Sequence, residues 1–150
     1  MTAISITKSL FCIAHRGGSQ RFTENTLAAF EESLQLGVDA VELDVWNVGG
    51  ELLVTHDRRL GKSLPGRGLL LEQSPEQLRQ LPLPCGNHLA TLAEVLELVG
   101  DKAVLNIVMP AACFFMLGHA KLTQILCRMS HKPIGKRVVY FVTNFLRFRP

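Results

Sequence analysis

The chain has 150 residues, 47% of them hydrophobic, enough for one compact domain with a real core and too few for a complete eight-fold β/α barrel, which needs about 250. Its four cysteines, Cys12, Cys85, Cys113 and Cys127, form no C-x-x-C pair, so neither a zinc site nor a disulfide framework is indicated and a reducing compartment is expected. The net charge of +3 divides unevenly: up to residue 107 nine Lys and Arg stand against thirteen acids, a balance of −4, while residues 108–150 carry seven basic residues and no acid.

At the N-terminus a single lysine, Lys8, precedes a run of only five or six apolar residues with no cleavage-site pattern, so no secretory signal is expected. "SLFCIA" reads as a short buried strand from its apolar run. "TENTLAAFEESLQLG" places Leu27, Phe30 and Leu34 on one helical face, with Thr23 or Asn25 as the cap and Gly37 as the stop. In "VDAVELDVW", Val41, Leu43 and Val45 alternate with Glu42 and Asp44, the pattern of a strand. "ELLVTHD" is a further strand, ending in His56 and Asp57. "SPEQLRQL" begins a helix at Ser74, with Pro75 in the first turn and Gln77 closing a capping box. "TLAEVLELVG" repeats that logic with Thr91, Glu94 and Gly100, and "AVLNI" is another buried strand. The order of elements is that of an α/β fold with polar residues gathered at strand ends.

Two carboxylates two residues apart on a strand share a face, with Cα atoms about 7 Å apart. Glu42 and Asp44 would therefore repel each other and raise at least one pKa unless a cation lies between them, and a hard divalent ion suits such oxygen ligands. The alternative is a polar outer face on a half-exposed strand, since alternation is ordinary in sheets. His15 with Arg16, and His56 with Asp57, shift the balance. Each pair closes a strand, and in parallel β/α folds the carboxyl ends of strands face the binding crevice. Two histidines can divide acid and base work near neutral pH. Arg16 offers a forked donor set for a phosphate, which Gly17 and Gly18 would let approach the backbone.

The run "IAHRGGSQRFTENTLAAFEESLQLGVDAVELDVWNVGGELLVTHDRRL" resembles the N-terminal half of the glycerophosphodiester phosphodiesterase family, whose pattern is H-R-G, E-N-T, G-x-D-x-x-E-x-D and H-D. The likeness continues through "HLATLAEVLELVGDKAVLNI", with Ala90 where proline is usual, and so covers residues 10–107. It implies the N-terminal half of a TIM-type (β/α)8 barrel, a phosphoric diester hydrolase that releases an alcohol and glycerol 3-phosphate from a small-molecule glycerophosphodiester. Glu42 and Asp44 would bind the divalent ion, Mg²⁺ or Ca²⁺, and Arg16 would hold phosphate oxygens. His15 and His56 would serve as the acid and base pair, and Glu24 and Asn25 fall on signature positions. The chain departs from the family after "VLNI": where Glu-x-Lys is usual, Val108 and Pro110 stand.

On this reading residues 1–107 form the N-terminal part of the family's domain, and residues 108–150 a divergent basic segment, either part of that domain or a tail read in a shifted frame. Within that segment Ala111, Phe114 or Phe115, Leu122, Ile125, Leu126 and Met129 are compatible with one helical face, and "RVVYFV" reads as a strand. The longest apolar stretch, residues 109–120, is too short to span a bilayer and contains His119. The expectation is a cytoplasmic protein with no membrane span and no nucleic-acid partner, open to self-association through unpaired barrel edges. Two alternatives are a non-catalytic relative, motivated by Val108, and a polyanion or nucleic-acid binder, motivated by the basic and aromatic tail.

Overall fold

A computed structural model of the protein describes residues 10–111, 113 and 138–143. Four strands, β1 (Ile13–Ala14), β2 (Ala40–Val48), β4 (Val104–Pro110) and β5 (Val138–Thr143), pair in that order, each parallel to its neighbour. Strand β3 (Glu51–Val54) lies off this path and pairs with β2 antiparallel, through a hairpin turning at Gly49 and Gly50. The sheet is open among the described residues. "ELLVTHD" is thus a shorter strand than the sequence indicates, and His56 follows a hairpin rather than a strand of the parallel set.

Helix α1 (Leu27–Gln35) links β1 to β2, and α3 (Leu92–Val99) precedes β4. The short α2 (Pro75–Arg79) lies in the long excursion between β3 and α3. The predicted caps of α2 and α3 are present: Ser74 with Gln77, and Thr91 with Glu94, each form a capping box, which is worth about 1 kcal/mol at its helix end. The cap of α1 is different. Thr26, not Thr23 or Asn25, accepts the Ala29 N–H at 3.2 Å.

Every residue of β2 except Asn47 is buried, on both faces. Val41, Leu43 and Val45 join Phe30 of α1, Leu92 and Val95 of α3, and Leu105, Ile107 and Met109 of β4 in one apolar core. In β4 these three alternate with half-buried Asn106, Val108 and Pro110, so the second face of the sheet carries the polar groups. Glu42 and Asp44 lie on that face at 8% and 9% exposure, which overturns the alternative of a solvated outer face. The Ala111–Met129 helical pattern falls almost wholly outside the described residues, whereas the expected strand near residue 137 is present as β5.

Candidate active site

The turn after β1 creates the first half of the site. His15, Arg16 and Gly17 form a single 3₁₀ turn in which Arg16 adopts φ 51°, a left-handed conformation uncommon for a side-chain-bearing residue. Three contacts hold it there. The Arg16 N–H donates to Glu42 Oε2 at 2.8 Å, its carbonyl accepts the Asn25 N–H at 3.0 Å, and its guanidinium reaches Glu24 and Asp44. Gly17, at φ +72°, admits no side chain, since a Cβ would stand 2.8 Å from Phe30 Cδ1. Local strain of this kind persists where surrounding contacts over-determine it.

Asp44 is flanked by cationic and neutral donors. Arg16 Nε lies 3.2 Å from Asp44 Oδ2 as an ion pair, although its N–H is not aligned as a hydrogen bond. Asn25, at φ 57°, donates Nδ2–H to the same oxygen at 3.3 Å and accepts the Asp44 N–H on Oδ1 at 3.4 Å. Asn25 is therefore bound to Asp44 and is not the helix cap. Burial pushes the Glu42 carboxyl above its ordinary value of 4.5; the Arg16 N–H opposes this and the Asp44 charge adds to it. His15 Nε2 stands 3.9 Å from Glu42 Oε2 on an imidazole that is 64% exposed. The structure thus brings His15, Arg16, Glu42 and Asp44 together, with Glu24 and Asn25 around them.

His56 lies in the segment after β3, where its contacts are to Trp46 and Asp57. Its carbonyl accepts the Trp46 indole N–H at 3.3 Å, and its Nδ1 lies 2.9 Å from Asp57 Oδ1. Burial alone would raise the Asp57 pKa, yet bonds from His56, Ser63 and Lys62 together hold it well below its ordinary 3.8. An ionised carboxylate can only accept, so His56 carries its proton on Nδ1 and Nε2 is left outside that bond. Removing that charge with Asp57→Asn is expected to cost about 2 kcal/mol of folding stability. Because the folded-state pKa is depressed, the contribution is complete above pH 3.8 and is lost as pH falls below it. Urea denaturation of both proteins should show a gap at neutral pH that narrows in acid.

A cavity of about 330 Å³ is bordered by Glu24, Asn25, Thr55, Lys62, Ser63 and Leu64 among others, whereas His15, Arg16, Glu42, Asp44 and His56 do not line it. No group of three or more His, Cys, Asp or Glu side chains among the described residues is placed to hold a metal ion. Val108 pairs with Asp44 across the β2–β4 ladder, next along the same face after the pairing of Asn106 with Glu42. Asn106 Oδ1 is buried with no hydrogen-bond partner among the described residues. Two carboxylates and an orphaned amide oxygen are hard oxygen donors that fit a hard divalent cation in kind.

A parallel β/α sheet with polar groups clustered at the carboxyl end of β1 and along the interior face of β2 defines part of a β/α barrel at the place where such barrels keep their active sites. Residues 15–124 match the glycerophosphoryl diester phosphodiesterase family, and the chain belongs to that family. It is 39% identical over 98 residues to a glycerophosphodiester phosphodiesterase of Caldanaerobacter subterraneus, covering 60% of this chain and 40% of that protein. It is 40% identical over 77 residues to human glycerophosphodiester phosphodiesterase 1, covering 51% of this chain and 23% of that one. Among solved structures it resembles an Oleispira antarctica phosphodiesterase in complex with the product sn-glycerol-3-phosphate, at 27% identity and TM-score 0.77, covering 89% of this chain and 57% of that chain. A glycerophosphodiester phosphodiesterase of Agrobacterium tumefaciens gives 27% identity, TM-score 0.75, and coverage of 88% and 57%. The chain therefore spans roughly two fifths of the first of these curated relatives and little more than half of the solved ones.

Proposed function

We propose that the chain carries the N-terminal half of a divalent-metal-dependent site that hydrolyses a glycerophosphodiester to an alcohol and glycerol 3-phosphate. The observation that carries this reading is the joining of Arg16, Glu42, Asp44, Asn25 and His15 around a strained turn. Glu42 and Asp44 would hold Mg²⁺ or Ca²⁺, which when bound offsets the negative charge of the diester and of its transition state. Arg16, whose guanidinium is engaged by Glu24 and Asp44 in the free chain, would pair with a phosphate oxygen. His15 and His56 divide the proton work: one takes a proton from the attacking water, the other gives one to the departing alkoxide. In that division Asp57 fixes the tautomer of His56.

A second reading, a non-catalytic relative, is favoured by one observation, the methyl groups of Val108 beside Asp44. The two are separated by incubating the full chain with a glycerophosphodiester and Mg²⁺ or Ca²⁺, and measuring glycerol 3-phosphate. Release that stops on chelation, and that is absent from the Glu42→Gln/Asp44→Asn double variant, supports the enzyme. No release with either ion, from a chain whose circular dichroism shows the α/β fold, leaves the non-catalytic relative. Partners follow the same division: a small anionic diester would be the ligand of the metal-loaded site, and no helix among the described residues is long and apolar enough to cross a membrane.

A further inference from the structure

The unpaired oxygen of Asn106 stands out against the rest of the site. A buried amide oxygen without a donor costs about 1–3 kcal/mol, and nearly all buried polar atoms in native proteins are paired. Asn106 is opposite Glu42 in the β2–β4 register and on the sheet face that bears Glu42 and Asp44. In-register neighbours on parallel strands project side by side, with strands about 4.8 Å apart. The opposite face of β4 is occupied by Leu105, Ile107 and Met109 in the core, so Asn106 belongs to the polar side.

We propose that Asn106 Oδ1 is a neutral ligand of the divalent ion, acting with Glu42 and Asp44. The inference rests on the reading of those two carboxylates as the metal pair and adds a third donor from β4. Carbonyl oxygens of Asn are ordinary ligands of Ca²⁺, and ligand charge count tunes affinity. With Asn106 as the third donor and Val108 opposite Asp44, the ligand set carries two negative charges, which balance a divalent ion and leave no surplus. The site in this chain would therefore be neutral when loaded, and more easily emptied than one built from three carboxylates.

Trp46 makes a test independent of turnover. It is the chain's one tryptophan and shares the face of Glu42 and Asp44, about 7 Å along the strand from Asp44. Tb³⁺, a hard cation that occupies Ca²⁺ sites, should give emission sensitised by this indole, and Ca²⁺ should displace it. Asn106→Leu is expected to weaken Tb³⁺ binding at least tenfold. Asn106→Asp, which keeps the shape and adds a charge, should tighten it by a similar factor and guards against a Leu variant that fails to fold. The double variant Glu42→Gln/Asp44→Asn should abolish the signal. If both Asn106 variants bind within twofold of the parent while the double variant does not bind, Asn106 is no ligand and the carboxylate reading stands. Emission unchanged in the double variant, or absent from the parent chain, overturns both.

Discussion

His56→Ala and His15→Ala are each expected to lower glycerophosphodiester turnover by about 10²–10⁴-fold, the usual contribution of one positioned acid or base. The two should fail differently. His56 is anchored through Nδ1 by Asp57 at 2.9 Å, so its Nε2 has one orientation, whereas His15 is 64% exposed and touches Glu42 only at 3.9 Å. The variant that has lost the acid should be largely rescued by a diester whose alcohol is a good leaving group, since such an alkoxide departs without a proton, whereas the variant that has lost the base should not be rescued. Equal losses on good and poor leaving groups in both variants would show that neither histidine protonates the alkoxide. Thermal melts of the two variants separate loss of chemistry from loss of fold.

The constellation was largely legible because barrel chemistry is written in short motifs at strand ends. His15, Arg16, Glu42, Asp44 and His56 stand in "AHRG", "VELDV" and "THD", and the structure brings the first four into direct contact. Caps were equally readable where one hydroxyl and one acid or amide three residues on had no competing partner, as at Ser74 and Thr91. At α1 the same logic chose wrongly. Asn25 has strong capping character, but Asp44, nineteen residues away, takes its amide, and Thr26 caps instead. A long-range bond decided that position, and no local pattern contains it. The antiparallel pairing of β3 was hidden for a similar reason. Its apolar run looks like that of any buried strand; only the double glycine at Gly49 and Gly50, both at positive φ, marks the hairpin.

Asn106 was missed altogether. In sequence it is one polar residue within "VLNIVMP", and period-two alternation places it beside Val108 without distinguishing a ligand from a spacer. Its signal exists only in three dimensions, as an oxygen without a donor opposite Glu42. The Asp57 interaction was half visible: "HD" gave the two residues, while the Lys62 and Ser63 donors that keep the carboxylate ionised come from the loop beyond.

Val108→Glu is expected to tighten Ca²⁺ or Mg²⁺ binding by on the order of 10- to 100-fold, because it sets a third carboxylate at the level of Asp44. Its cost in stability should depend on the ion. Without metal, a new charge on a half-buried face beside Glu42 and Asp44 is repelled by both, at a cost of about 1–3 kcal/mol, so the melting temperature falls. Glu42 already shows the strain, its pKa raised by burial and by Asp44. A group whose folded pKa is raised stabilises the fold while protonated and loses that contribution as pH rises through the folded value. The metal-free variant should therefore be weakest at neutral and alkaline pH and recover in mild acid. With saturating Ca²⁺ the gap narrows by RT ln of the Kd ratio, about 1.4–2.7 kcal/mol for a 10- to 100-fold smaller Kd, which is enough to offset most or all of the penalty. Melting curves of both proteins with Ca²⁺ and with chelator would show the change in the gap. A gap of the same size under both conditions would mean that the β4 position opposite Asp44 does not face the ion.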